Sequence, residues 1–251
     1  MRECLCVATP PPSGFCPVCG HRGEWGPVGP TTAREGLLCL GCGCTSRQRA
    51  IARAVLFVLD ELTAADCLDR VRWDDLPRWR TYEVGHSRLT KRFAWLFSHD
   101  VSEYHDCGRG EMVQNLQQLT LPDESYRLVI CSDVLEHVRL YRLALVEMVR
   151  VLRPGGALLI TVPEISGPEH LSFCRIADCR YPARDEWDPD APVHSDPLDP
   201  AGCRVYRTFS APSLDLDLTG GFSLTVERTP AEIPECGIVH CPVIIARNRA
   251  S

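Results

Sequence analysis

The stretch PDESYRLVICSDVLEHV (122–138), continued five residues later by ALVEMVRVLRPGGALLITVP (144–163), decides the class of fold. Residues 126–131 are apolar almost without a break, the pattern of a strand buried on both faces inside a parallel sheet. YRLALVEMVRVL (141–152) carries the periodicity of a helix, and RPGG (153–156) cannot continue one. ALLITVP (157–163) is apolar again. Strand, helix and strand in succession build a parallel sheet.

The same alternation extends upstream. RTYEVG (80–85) reads as a strand, RLTKRFAWLF (88–97) as a helix, HDVSEY (99–104) as a second strand, and MVQNLQQL (112–119) holds a short third. Downstream, SAPSLDLDLTGG (210–221) fits a helix stopped by glycine, although its Leu–Asp alternation also fits a strand. FSLTVER (222–228) and GIVHCPVIIAR (237–247) read as two closing strands, an antiparallel hairpin at the sheet edge. The expectation is an α/β fold with a doubly wound, mostly parallel seven-stranded sheet and a ligand at the carboxyl ends of its strands. Residues 164–207 interrupt the rhythm with six prolines and few aliphatic runs, as expected of a lid inserted in the domain.

These motifs resemble the Rossmann-like (class I) S-adenosylmethionine-dependent methyltransferases over roughly residues 80–247. SEYHD (102–106) and HSDPLDPAGCRVYRTFS (194–210) further resemble a bacterial subgroup of that family with an N-terminal four-cysteine knuckle. The resemblance implies methyl transfer from S-adenosylmethionine. It puts the family's glycine-rich loop on Glu83, Gly85 and Ser87, with two of the three glycines replaced. It further implies Glu103 at the ribose, Asn115 and Leu116 at the adenine, and Cys131, Ser132 and Asp133 along the methionine part. His137 is the expected base where an acceptor must lose a proton. His170, His194 and Asp196 on the insertion are further candidates to face the acceptor, and Tyr181, Trp187 and Tyr206 to stack on it.

The N-terminal region carries separate chemistry. Cys16-x2-Cys19 and Cys39-x2-Cys42 are spaced so that two tight turns aim four thiolates at one ion, the ligand set of a structural zinc. A ribbon too small to form a core would be held together by that metal. The expected organisation is a zinc ribbon (1–45), a connecting helix and linker (46–74), and a methyltransferase-like domain (75–251). Thr45 and Gln48 form a candidate capping box for the helix. Arg49 and Arg53 read as its solvated face, with an RNA contact as the alternative. Cys174, Cys179, Cys203, Cys236 and Cys241 are candidates for a second metal site.

Fifteen cysteines with no export signal point to metal and a reducing, cytoplasmic setting. No apolar run is long enough to span a membrane. A net charge of −6 argues against a general nucleic-acid coat and favours a small-molecule acceptor. Two alternatives stand beside that expectation. One is an RNA methyltransferase docking through the ribbon; the other is a non-catalytic protein whose loop no longer holds cofactor.

Overall fold

Two glycine-terminated turns open the chain in a computed structural model that describes residues 13–27, 34–59 and 64–248, apart from 73, 75, 107, 109, 166, 168, 179, 181, 195–200, 221 and 223. Contacts divide the chain into one unit of Met1–Leu76 with Thr229–Val243, and another of Pro77–Arg228 with Ile244–Ser251.

In the first unit, β1 (Ser13–Phe15) and β2 (Arg22–Glu24) pair antiparallel around the first cysteine turn. The two turns are built alike. Gly20 N–H donates to the Cys16 carbonyl (2.8 Å) and Gly43 N–H to that of Cys39 (2.7 Å), both glycines having φ near +70°. That left-handed conformation is why glycine follows each second cysteine. Helix α1 (Ser46–Leu59) starts at the expected capping box: Gln48 N–H donates to Thr45 Oγ1 (3.3 Å), and Thr45 N–H to Gln48 Oε1 (3.0 Å).

Arg49 corrects the sequence reading. Its side chain is completely buried, not solvated. Its guanidinium donates to the carbonyls of Cys236 (2.8 Å), Cys44 (2.7 Å) and Gly237 (2.6 Å) and lies over the Trp25 ring, 4.2 Å from the centroid. Burial holds its pKa below the ordinary arginine value, with the neighbouring cysteines pulling the other way. Arg53 is exposed, as expected. The 237–247 strand also needs correcting. Residues 237–243 leave the sheet and join the first unit, where Val239 and Ser46 Oγ exchange two hydrogen bonds.

The second unit contains the expected sheet. Its strands are β3 (Arg80–Val84), β4 (Ser98–Glu103), β5 (Met112–Val113), β6 (Tyr126–Ser132) and β7 (Leu152–Thr161), with helices α2 (Thr90–Leu96) and α3 (Tyr141–Val151) between them. The insertion adds short strands: β8 (Glu164–Ile165), β9 (Leu171–Ser172), β10 (Cys174–Arg175), β11 (Glu186–Trp187), β12 (Val193–His194), β13 (Cys203–Arg204) and β14 (Arg207–Ser210). Helix α4 (Ala211–Gly220) settles the ambiguous 210–221 segment as helical. Strands β15 (Leu224–Arg228) and β16 (Ile244–Asn248) close the sheet.

The order is β15-β16-β7-β6-β3-β4-β5. Strands β3 to β7 run parallel, while β16 is antiparallel to both β7 and β15. The closing hairpin is therefore present, but β16 enters the sheet and β15 takes the edge. The chain departs from β3 toward β4 on one side and returns to β6 on the other. That reversal opens the crevice in which such sheets bind ligands, beyond the ends of β3 and β6. Tyr82, Val129, Cys131, Leu158 and Ile160 fill the sheet's interior, packed on Ala144, Leu145 and Met148 of α3. No helix among the described residues is long and apolar enough to cross a membrane.

Candidate functional site

At the end of β3 the chain turns through Gly85 (φ +77°), whose N–H donates to the Ser102 carbonyl (2.8 Å). A side chain there would meet only Val134 Cγ2, 4.0 Å away. This one glycine therefore supplies both the turn and open room at the crevice. Glu83 is 3% exposed. Its carboxylate accepts from Ser87 Oγ (2.6 Å) and Thr90 Oγ1 (2.6 Å) and lies 3.1 Å from His99 Nε2. These bonds stiffen the loop from below, work that further glycines would not do. Ser87 Oγ in turn accepts from Leu89 N–H (3.0 Å) at the start of α2.

Glu103 ends β4 beside this loop, with Oε1 accepting the His86 N–H (2.8 Å). Asn115 is exposed and closes a turn, its Oδ1 accepting Gln117 N–H (3.0 Å), while Leu116 is buried behind it. At the end of β6, Ser132 Oγ and Thr161 Oγ1 are 2.9 Å apart, and Thr161 Oγ1 donates to Asp133 Oδ1 (2.9 Å). Asp133 has φ +53° and turns the chain out of the sheet. The sequence-nominated residues on β3 and β6 thus lie on neighbouring strand ends. Glu103 and Asn115 follow on the β4 and β5 side.

His137 ends a 3-10 turn (Leu135–His137) after β6. Its Nδ1 lies 2.9 Å from the Arg204 carbonyl and its Nε2 lies 3.2 Å from His194 Nδ1. The two rings meet edge to face, 5.0 Å between centroids. Burial pulls the His137 pKa down, but the Cys203 side chain and the Arg204 carbonyl outweigh it and the net shift is upward. The insertion is fastened onto this same segment. Arg139 grips both oxygens of Asp185 (2.5 and 2.7 Å), and Arg207 donates to the carbonyls of Val138 (2.7 Å) and Arg139 (2.8 Å). Tyr206 N–H donates to the Glu136 carbonyl (2.8 Å). His170 is turned elsewhere, onto Ser210 N–H and Asp217. Trp187 and Tyr206 pack on each other, 4.5 Å between centroids. Asp196, Tyr181 and Cys179 lie outside the described residues. Among the described residues, none of the later cysteines joins a group able to hold a metal ion. The ion pair between Arg139 and Asp185 and the place of Glu136 went unread in the sequence, because neither pairing has a fixed spacing.

In the first unit, the sulfurs of Cys16, Cys19, Cys39 and Cys42 lie within 4.8 Å of one another. Cys16 and Cys42 are 3.8 Å apart, Cys19 and Cys39 3.7 Å. Zinc–sulfur bonds of about 2.3 Å at tetrahedral angles place sulfurs about 3.8 Å apart, whereas a disulfide would bring them to about 2.05 Å.

Residues 93–160 match the protein family described as "Methyltransferase domain". The match supports a methyltransferase enzyme. The matched stretch runs from α2 to β7 and includes the strand–helix–strand unit from which the fold was read. Among solved structures, the chain is similar to a Burkholderia thailandensis 1,6-didemethyltoxoflavin-N1-methyltransferase with bound 1,6-didemethyltoxoflavin and S-adenosylhomocysteine. That likeness has 15% identity and TM-score 0.44, over 80% of this chain and 90% of that one. An S-adenosylmethionine-dependent methyltransferase from Mesorhizobium loti gives 15% and 0.44, over 72% and 100%. The N-methyltransferase NodS from Bradyrhizobium japonicum, in complex with S-adenosylhomocysteine, gives 18% and 0.38, over 73% and 83%. Likenesses this distant carry no functional weight of their own; the family match and the strand order carry the assignment. No curated protein matches the chain in sequence.

Proposed function

We propose that the methyltransferase domain transfers a methyl group from S-adenosylmethionine to a small-molecule acceptor, plausible chemistry for specialised metabolism. The observation that carries this reading is the open, left-handed Gly85 at the reversal point of a methyltransferase sheet. Backbone can approach a ligand closely only where no side chain intervenes, and here none does. Gly85 and the backbone of Ser132 and Asp133 would hold the cofactor's methionine end, Glu103 its ribose, and Leu116 the adenine face. Glu83 and Ser87 support the loop through their mutual hydrogen bond. Asn115 offers its amide at the adenine end.

When bound, S-adenosylmethionine supplies an electrophilic methyl group. The chain's own task is to orient the acceptor and keep water out. The insertion, fastened by Arg139 and Arg207 to the segment after β6, forms the wall on the His137 side. The four N-terminal cysteines fit a structural zinc, because all four positions are filled by protein and none is left for a substrate. Overall acidity favours a small acceptor over a nucleic acid.

Calorimetry with S-adenosylmethionine and S-adenosylhomocysteine tests the reading. Saturable binding is expected, together with a rise in unfolding free energy of about 2.7 kcal/mol at a hundredfold excess over Kd. Absence of heat and of thermal stabilisation would leave a non-catalytic domain.

A further inference from the structure

We propose that Glu136, His137 and His194 form a second metal site, for a divalent transition ion of the zinc class, where the insertion meets the segment after β6. The site stands on its own geometry and does not depend on the methyl-transfer reading. It also revises the role expected of His137, from free base to ligand.

One carboxylate oxygen and two imidazole nitrogens lie within 4.8 Å of one another. His137 Nε2 is 3.2 Å from His194 Nδ1 and 4.0 Å from Glu136 Oε1. Metal–nitrogen bonds of about 2.0–2.1 Å at tetrahedral angles place ligand atoms about 3.3 Å apart, so a small inward movement of the carboxylate completes the set. The tautomer is already the one a ligand needs. A carbonyl can only accept, so the contact with the Arg204 carbonyl puts the His137 proton on Nδ1 and turns the Nε2 lone pair toward His194. Histidine ligands are ordinarily fixed in this way, their second nitrogen donating to a carbonyl or carboxylate.

The carboxylate is prepared as well. The Glu136 side chain has no exposed surface, so it has little water to lose on binding an ion. Its backbone is held by Tyr206 N–H, from the same stretch that supplies Arg204. Cys203 is the register partner of His194 in the β12–β13 pair. Two histidines and a carboxylate, with a fourth position not committed to protein, is a donor set of catalytic rather than structural ions. The open position would take water, whose proton the ion would acidify.

The test is metal content of the full-length protein, measured by mass spectrometry after equilibration with buffered zinc. About two zinc ions per chain are expected, falling to about one in His194→Ala and in Glu136→Gln, with the four-cysteine ion retained. One ion in the unmodified protein, or two retained in His137→Ala/His194→Ala, would overturn the proposal. Should a variant fail to fold, zinc-edge X-ray absorption of the unmodified protein decides. A mixed shell with nitrogen or oxygen at about 2.0–2.1 Å beside sulfur at about 2.3 Å supports the site, and a sulfur-only shell refutes it.

Discussion

Replacing Arg49 by methionine should loosen the first unit far more than a change on a helix surface would. The substitution removes three charge-assisted hydrogen bonds, to the carbonyls of Cys44, Cys236 and Gly237. The Cys44 carbonyl keeps the Cys39 N–H, so two carbonyls lose their donor. Each buried group left so costs about 1–3 kcal/mol. The cation over Trp25 adds about 1–2 kcal/mol. Removing a buried charge returns part of this, since burial already disfavours the guanidinium. A net loss of about 3–5 kcal/mol follows, a change in opening equilibrium of roughly a hundredfold to several thousandfold. Native-state hydrogen exchange over residues 46–59 and 229–243 reads this directly. Arg49→Lys should fall between the two, because it keeps the charge but cannot fork across three carbonyls. Exchange in Arg49→Met within about threefold of the unmodified protein would refute the reasoning, showing that those carbonyls find water at no cost.

Breaking the Arg139–Asp185 pair should free the insertion, with Arg139→Ala costing about 3–5 kcal/mol because it strands a buried carboxylate; limited proteolysis within 164–207 measures it. The Arg139 guanidinium holds the Asp185 carboxyl below the usual carboxylate range. The folded pKa is depressed, so its stabilisation is complete above the ordinary aspartate value of about 3.9 and disappears as pH falls through the folded pKa. Protection of the insertion should therefore be flat from neutrality to about pH 5 and fall only below about pH 4. Gly85→Val should abolish cofactor binding in calorimetry and cost about 1–2 kcal/mol of stability, because a β-branched residue is strained at φ +77°. Thr45→Ala should cost about 1 kcal/mol in urea unfolding by removing the helix cap.

The parts of this molecule that follow a spacing rule were legible in the sequence. The unbroken apolar run of β6, the RPGG stop after α3, the paired cysteines and the Thr45–Gln48 cap each depend on residues within a few positions of one another. What escaped depends on partners far along the chain. Arg49 lies on the polar side of its helix, and nothing local reveals that the carbonyls of Cys236 and Gly237 come to meet it. GIVHCPV is apolar enough for a strand, yet its hydrogen bonds go to Ser46, Arg49 and residues 229–233 and not to the sheet. The loop at Gly85 departs from the family's pattern because two glycines are replaced. The structure shows Glu83 and Ser87 bonded to each other where a more flexible loop would have glycine. His137 and His194 are both candidates by residue type, but their meeting depends on a β12–β13 pairing that two-residue strands do not announce.

The excursion of residues 229–243 has a bearing on how the protein is made. The cysteine turns and α1 leave the ribosome early, while the segment that satisfies Arg49 and Ser46 follows almost two hundred residues later. A unit begun early in synthesis is therefore completed only late. Until then Arg49 has only the Cys44 carbonyl of its three acceptors, so early capture of an ion by the thiolates would guard a half-built unit against misassembly. For the same reason, residues before 46 are not a detachable module: removing them would take the Cys44 carbonyl and the Trp25 ring away from Arg49.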